Sequence, residues 1–479
     1  MLNKKFLHVL VGLIFCVTGC NPSDVVDEQV CGDLTCSLGE DADSCPRDCG
    51  HTPVSGKIIT TTINSEGIGE VAVLLAYPSQ SRFSEGAGLV VIVPPFLSEQ
   101  NGFTTEPDFT SIGLIQVSFL WPGAVDEEFD LRSDGVYDFG GETAIKALRD
   151  VLRFTTGRLP NVEGRLITTL MPVKPMVDEV GIFSFAHAGI ATTNVVGLYG
   201  SELDGLEYLV GYENPTLDPL TTFEAGYMDD LGFPRQNPFY QYPASFSQTE
   251  INLNYGTIRW DPSYRDDSTS LVGRPYLDLD GNALLEESDF IFRSEVPVIA
   301  GKRYYSSTLT QSLLDNGSLT IPTWPSSLAL PDEASAFWSS RRSVTRYMDF
   351  VLQSPDLKVM LVFANKDHAQ AAADKPHIHQ AFQGFRFASL LRWVRLNPDR
   401  AYLQQATGIS GFPFPDNPAN TQPEEWLEIG DWAFDGDSVS WQAASLAALA
   451  EMSDRAHTGR WDENLGSVLY SYSLPTPAP

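Results

Sequence analysis

Of the seven histidines in this 479-residue chain, His368, His377 and His379 crowd into one stretch with two carboxylates, D-H-A-Q-A-A-A-D-K-P-H-I-H at residues 367–379. An imidazole beside a carboxylate can move protons near neutral pH, because the acid fixes which ring nitrogen carries the proton. Asp367, His368 and His377 are therefore candidate catalytic residues, with Asp367 as the orienting acid. The same side chains could ligate zinc or manganese. Their spacing matches no metal motif such as H-E-x-x-H, and Pro376 marks a helix start that would turn His377 and His379 to different sides. The plainer reading is a hydrogen-bonded loop that caps strand ends.

A second stretch bears on nucleophilic chemistry. Residues 180–200 read V-G-I-F-S-F-A-H-A-G-I-A-T-T-N-V-V-G-L-Y-G, a buried strand, a sharp turn and a helix. This resembles the nucleophile elbow of the α/β-hydrolases, G-x-S-x-G, which holds a serine hydroxyl at the top of the sheet. Aligned on strand Val180–Phe183 and helix Ile190–Leu198, the nucleophile position falls on Ala186, and Ser184 and Ala188 replace the two glycines. Alanine has no atom that attacks a carbonyl. Ser184 is the nearest hydroxyl, but at the strand end it would face the neighbouring loop rather than the cleft. His187 follows the turn position and could line the site.

The resemblance implies a nucleophile, an acid and a histidine in that chain order. The acid slot holds Asn365-Lys366-Asp367-His368, which suits Asp367. The histidine slot, near residues 397–400, reads Asn397-Pro398-Asp399-Arg400 and holds none. Oxyanion donors come from backbone N–H groups after the third strand. Pro94 and Pro95 lack them there, which leaves Phe96 or Leu97.

Around these residues the apolar pattern gives a mostly parallel sheet wrapped by helices, an α/β class. Strand-like runs lie at Lys57–Ile63, Glu70–Tyr77, Leu89–Val93, Leu114–Phe119, Val180–Phe183, Leu206–Val210, Val359–Phe363 and Arg392–Leu396. A helix is expected over Glu142–Thr155, and another over Val439–Met452. The hydrolase-like domain covers 53–405, with a lid or cap inserted at 214–356 that returns through a helix near Ala334–Leu352. Residues 406–479 form a helical extension and a loose tail. Three further texts, residues 133–142, Tyr212–Pro215 and Trp393–Asp399, read as turns supporting the sheet ends.

Within the insertion, Asp278, Asp280, Asn282 and Asp289 fall at positions one, three, five and twelve of a loop similar to an EF-hand. It departs at Ala283, where the turn glycine belongs, and at Asp289, where a bidentate glutamate belongs. A plain Asp-Gly turn between hairpin strands is the first reading, and a structural calcium ion held by these four residues is the alternative. No cofactor is required.

The N-terminus carries Lys4 and Lys5, an apolar run from Phe6 to Val17, and Val17-Thr18-Gly19-Cys20. That layout is a secretory signal, over residues 1–19, and its end resembles a bacterial lipobox with Cys20 as the lipidation site. Cys31, Cys36, Cys45 and Cys49 sit in a Cys-rich stalk, residues 20–52, similar to a short module of secreted proteins in predatory and social bacteria. In an exported chain they imply two disulfides, with three pairings open. The expected location is the outer membrane or surface of a Gram-negative cell, with the membrane as partner through Cys20. The formal charge of −31 argues against nucleic acid.

Two functions remain. One is a surface lipoprotein whose hydrolase-like domain binds a small molecule or protein in a cleft that lacks its nucleophile. The other is an exported esterase or peptidase with a rebuilt site.

Overall fold

The computed structural model describes residues 57–461 except 97–99, 101, 215–223, 230–232, 242–243, 246–251, 267–269, 295, 343–345, 367–374, 389–391 and 410–432. The signal, the lipidation site, the stalk with its cysteines, Leu97, Asp367, His368 and the tail lie outside the described residues.

Eight strands form the central sheet: β1 (Lys57–Ser65), β2 (Gly69–Tyr77), β3 (Ala87–Val93), β4 (Ile115–Phe119), β5 (Pro175–Phe185), β6 (Leu206–Tyr212), β7 (Lys358–Val362) and β8 (Val394–Leu396). Their spatial order is β1-β2-β4-β3-β5-β6-β7-β8. β2 runs antiparallel to both neighbours, and all other pairs from β4 to β8 are parallel. This order, with one reversed strand near the edge, is the α/β-hydrolase-like arrangement that the turn at residues 184–188 implies.

Alternation along the parallel strands builds two cores. Leu89, Val91, Ile182, Leu209 and Leu361 face one side, where α1 (Glu142–Thr155), α2 (Ala188–Tyr199) and α6 (Pro376–Ala388) cover them. Val90, Ile92, Phe183, Val210 and Met360 face the other. There α7 (Arg400–Thr407) and α8 (Trp441–Thr458) pack, beside a single 3₁₀ turn at Phe109–Ile112. The C-terminal helix is longer than expected. Ser440 caps it by accepting the Ala443 amide, and Gly459 ends it in the left-handed region.

The insertion between β6 and β7 has its own core. Strands Ile258–Arg265, Val272–Leu277 and Phe290–Ile291 make an antiparallel sheet. Ile258, Leu277, Phe292, Tyr305, Leu309 and Leu313 pack between it and α3 (Ser307–Asp315). Phe139 of the main domain joins the same cluster. Buried Glu224 ties the strands to α3 through the amide and hydroxyl of Ser306, at 2.7 and 2.8 Å, and through the Tyr255 hydroxyl.

The single helix expected near Ala334–Leu352 is two, α4 (Pro331–Ser339) and α5 (Tyr347–Gln353). The break has a cause in Arg341. Its guanidinium donates to the carbonyl of Phe337 at 2.6 Å, to that of Phe139 at 2.8 Å, and to that of Asp138. These bonds close α4 and draw the chain onto the main domain.

Candidate functional site

The chain leaves β5 and enters α2 at Ala186, whose φ of 48° lies in the left-handed region. A non-glycine residue there is strained, and strain of this kind persists only where neighbours over-determine it. The neighbour responsible is Asn214, which is 3% exposed. Its Nδ2 donates to the carbonyls of Ser184, Ala186 and Tyr212 at 3.1, 2.9 and 3.1 Å. Its Oδ1 accepts the Ser184 hydroxyl at 2.7 Å. The Ala186 amide donates to the Tyr212 carbonyl at 2.8 Å. A Cβ on Gly189 would sit 2.4 Å from Asn214, so only glycine lets α2 approach the brace.

Three more non-glycine residues with positive φ sit at this edge of the sheet or beside it: Glu213 at 47°, Lys375 at 48° and Asn397 at 62°. They are also knitted together. Glu213 Oε1 accepts the Ala364 amide at 2.9 Å and faces Lys375 Nζ at 3.3 Å, while Oε2 meets His377 Nε2 at 2.7 Å. Asn397 donates to and accepts from the backbone of Phe363, at 3.1 and 2.8 Å. Behind it, Arg395 reaches Glu451 at 3.2 Å, and Glu451 accepts the Asp399 amide at 2.7 Å. Thus Glu213, Asn214, Arg395 and Asn397 hold the sheet ends in shape.

An apolar cavity of about 320 Å³ opens over the turn. Its walls include Phe96, Phe183, Phe185, Ala186 and Trp441, with Thr104, Glu106 and His187 as the polar groups. The rings of Phe185 and Trp441 lie 4.8 Å apart, and Phe185 stacks on Tyr212 at 5.3 Å. Phe96 is fixed from behind. A Cβ on Gly140, at φ 72°, would fall 1.6 Å from its ring. The carbonyls of Pro95 and Phe96 accept the Trp121 indole N–H, at 2.9 Å, and the Tyr137 hydroxyl. Burial pushes the Tyr137 hydroxyl's pKa well above its ordinary value, so it stays a donor.

The candidate residues distribute unevenly around this cavity. Ala186 and His187 line it. Ser184 is fully buried, bonded to Asn214, and is not among the lining residues. His377 is 1% exposed and engaged by Glu213. His379 is fully buried on the same helix. Trp441 and Glu106 carried no signal for the site in the sequence, and Asn214 entered only within the turn text Tyr212–Pro215. Each reaches it through packing that joins distant segments, although a lone Trp beside the helix cap Ser440 marked the start of α8.

In the insertion, carboxylate oxygens of Asp278, Asp280 and Asp289 lie within 4.8 Å of one another, a donor set that suits a hard cation. Asn282 turns its amide to Asp280 at 2.7 Å and accepts from the Leu284 amide at 2.7 Å. Asp278 accepts the Gly281 and Ala283 amides at 2.8 and 3.0 Å, and Asp289 those of Leu279 and Glu286 at 2.9 Å. Burial works to raise the Asp278 pKa, and these amides together with Arg259 bring it below the usual carboxylate range. The turn is closed by its own hydrogen bonds.

No family model and no curated protein matches the sequence. Among solved structures, the α/β hydrolase GrgF from Penicillium sp. sh18 is 10% identical, with a TM-score of 0.33, over 71% of this chain and 89% of that one. Dipeptidyl peptidase 4 from Porphyromonas gingivalis is 14% identical, with a TM-score of 0.23, over 34% of this chain. The likeness spans 21% of that peptidase. XC6422 from Xanthomonas campestris, an a/b serine hydrolase without lid, is 14% identical, with a TM-score of 0.22, over 34% of this chain and 63% of its own. The fold assignment rests on this chain's own strand order.

Proposed function

We propose that the chain is an exported lipoprotein whose α/β-hydrolase-like domain does no acyl chemistry and instead holds a small, mostly apolar ligand in the cavity over Ala186. One observation carries this reading. The strained strand-to-helix turn is kept at φ 48°, with Asn214 bracing it, yet the side chain it presents to the cavity is a methyl group. Covalent catalysis needs a nucleophile with an activating base within hydrogen-bond reach. Ser184, the nearest serine, is spent on Asn214. The aromatic walls suit apolar surface, and a volume of about 320 Å³ falls in the range of small-molecule pockets.

The lipid tether is supported by Lys4, Lys5, the apolar run and Cys20 in the sequence. Among the described residues, no helix is long and apolar enough to cross a membrane. A lipidated cysteine would supply the attachment.

Treating purified protein with a fluorophosphonate probe tests the reading. The expected result is no labelling. Stoichiometric labelling of any serine would replace this reading with that of an exported esterase or peptidase.

A further inference from the structure

A second pocket, of about 210 Å³, opens in the insertion and shares no lining residue with the cavity over Ala186. Its walls include Arg274, Arg293, Tyr264 and Ser294, with the buried ring of Phe292 beneath. The Arg274 guanidinium lies 4.2 Å from the centre of the Tyr264 ring. Its ion pair is a long one, Nε to Asp261 at 3.7 Å. The facing oxygen is Oδ2, while Oδ1 of the same carboxylate accepts the amide and hydroxyl of Ser263 at 2.9 and 2.5 Å. Among the described residues the guanidinium of Arg274 makes no hydrogen bond, and its Nε is buried. Arg303, itself fully buried and paired with Asp266 at 3.0 Å, lies 5.8 Å from the same ring. The hydroxyls of Tyr264 and Ser294 meet at 3.0 Å.

The acidic group in the wall is neutralised. Asp229 is bound by Arg235 at 3.0 Å and by the Phe233 amide at 2.8 Å. The pocket wall thus holds two guanidinium groups, Arg274 and Arg293, and one carboxylate, on a chain of formal charge −31. A guanidinium stacked on a ring has its fork pre-set, and that fork matches the two coplanar oxygens of a carboxylate. The volume is below the range of about 300–1,000 Å³ that encloses drug-sized ligands. We infer that this pocket binds a small organic acid, or the carboxylate end of a larger molecule, with Arg274 as the anchor and the Tyr264–Ser294 hydroxyls beside it.

The test is a ligand-observed NMR titration of the full chain with benzoate, its neutral isostere benzamide, and inorganic phosphate. Benzoate is expected to bind and benzamide not to bind. Arg274→Gln should weaken benzoate by about tenfold or more, because the charge-assisted pair is lost. Equal binding of benzoate and benzamide, or an unchanged benzoate affinity in Arg274→Gln, overturns the proposal. Phosphate binding more tightly than benzoate overturns the choice of carboxylate. Should Arg274→Gln melt early, Ser294→Ala decides. It leaves the guanidinium in place and is expected to weaken benzoate by about threefold with the melting point unchanged. No change in affinity there sinks the site.

Discussion

Arg341 donates through Nε to the carbonyl of Phe139 at 2.8 Å, joining the insertion to the loop that backs the cavity. Gly140 follows Phe139 and lies against the ring of Phe96, which is one wall of that cavity. The guanidinium donates to carbonyls and a hydroxyl and stacks on Phe337 at 3.7 Å. Burial pulls its pKa down to about 10, so it remains charged at neutral pH. Arg341→Lys keeps the charge but loses the fork. We expect a loss of about 1–3 kcal/mol in urea unfolding, together with faster proteolytic cutting between residues 214 and 356. Unchanged cutting would mean that the two units are joined elsewhere.

Restoring a hydroxyl at the turn should not restore chemistry. Among the described residues, the one imidazole lining the cavity is His187. His377 is held by Glu213. Ala186→Ser is therefore expected to leave p-nitrophenyl butyrate hydrolysis at the background of the unmodified chain. A rise of about a hundredfold, the lower end of what a positioned general base contributes, would show that a relay survives.

Asn214 shares its two amide hydrogens among three carbonyls of the turn and accepts one hydroxyl. Asn214→Leu has a similar size and leaves the Ser184 hydroxyl without its acceptor, while the Tyr212 and Ala186 carbonyls keep the amides of Ala186 and Gly189. One orphaned buried hydroxyl costs about 1–3 kcal/mol, and the variant should lose about that much. Asn214→Asp keeps an acceptor for Ser184 but loses the donors, and is expected to be destabilised as well. Chemical denaturation measures both.

The burial of Glu179 gives a pH dependence whose sign follows from the direction of its shift. Burial pushes the Glu179 pKa above its ordinary value, partly offset by the 3.1 Å bond to His457 Nδ1. A carboxyl that holds its proton more tightly when folded stabilises the fold at low pH. That contribution is lost as pH rises from the ordinary carboxylate range through the raised value. Glu179→Gln removes the cost of ionising a buried acid. Its melting point relative to the unmodified chain should therefore be higher at about pH 7 than at about pH 4. The reverse order, in calorimetry, would mean that the bond to His457 outweighs burial.

The sheet was legible in the sequence because parallel strands covered on both faces read as continuous apolar runs, as Leu89–Val93 does. The turn at Ala186 was legible because its neighbours are local in sequence. What braces it was not. Asn214 lies 28 residues from Ala186, and its hydrogen bonds depend on β5 and β6 being adjacent. The break between α4 and α5 was hidden for the same reason. The helical pattern runs through it, and the cause is a carbonyl 202 residues away. The partner of His377 was hidden too, since nothing near residue 377 points to Glu213.

The placement of α8 has a consequence for how the chain is made. Val90, Ile92, Phe183, Val210 and Met360, only partly covered by α7 and the turn at Phe109–Ile112, need residues 441–458 to complete their cover. That side of the sheet therefore closes only after residues 441–458 have been made. A copy truncated ahead of Ser440 would emerge with a sticky, half-clad sheet.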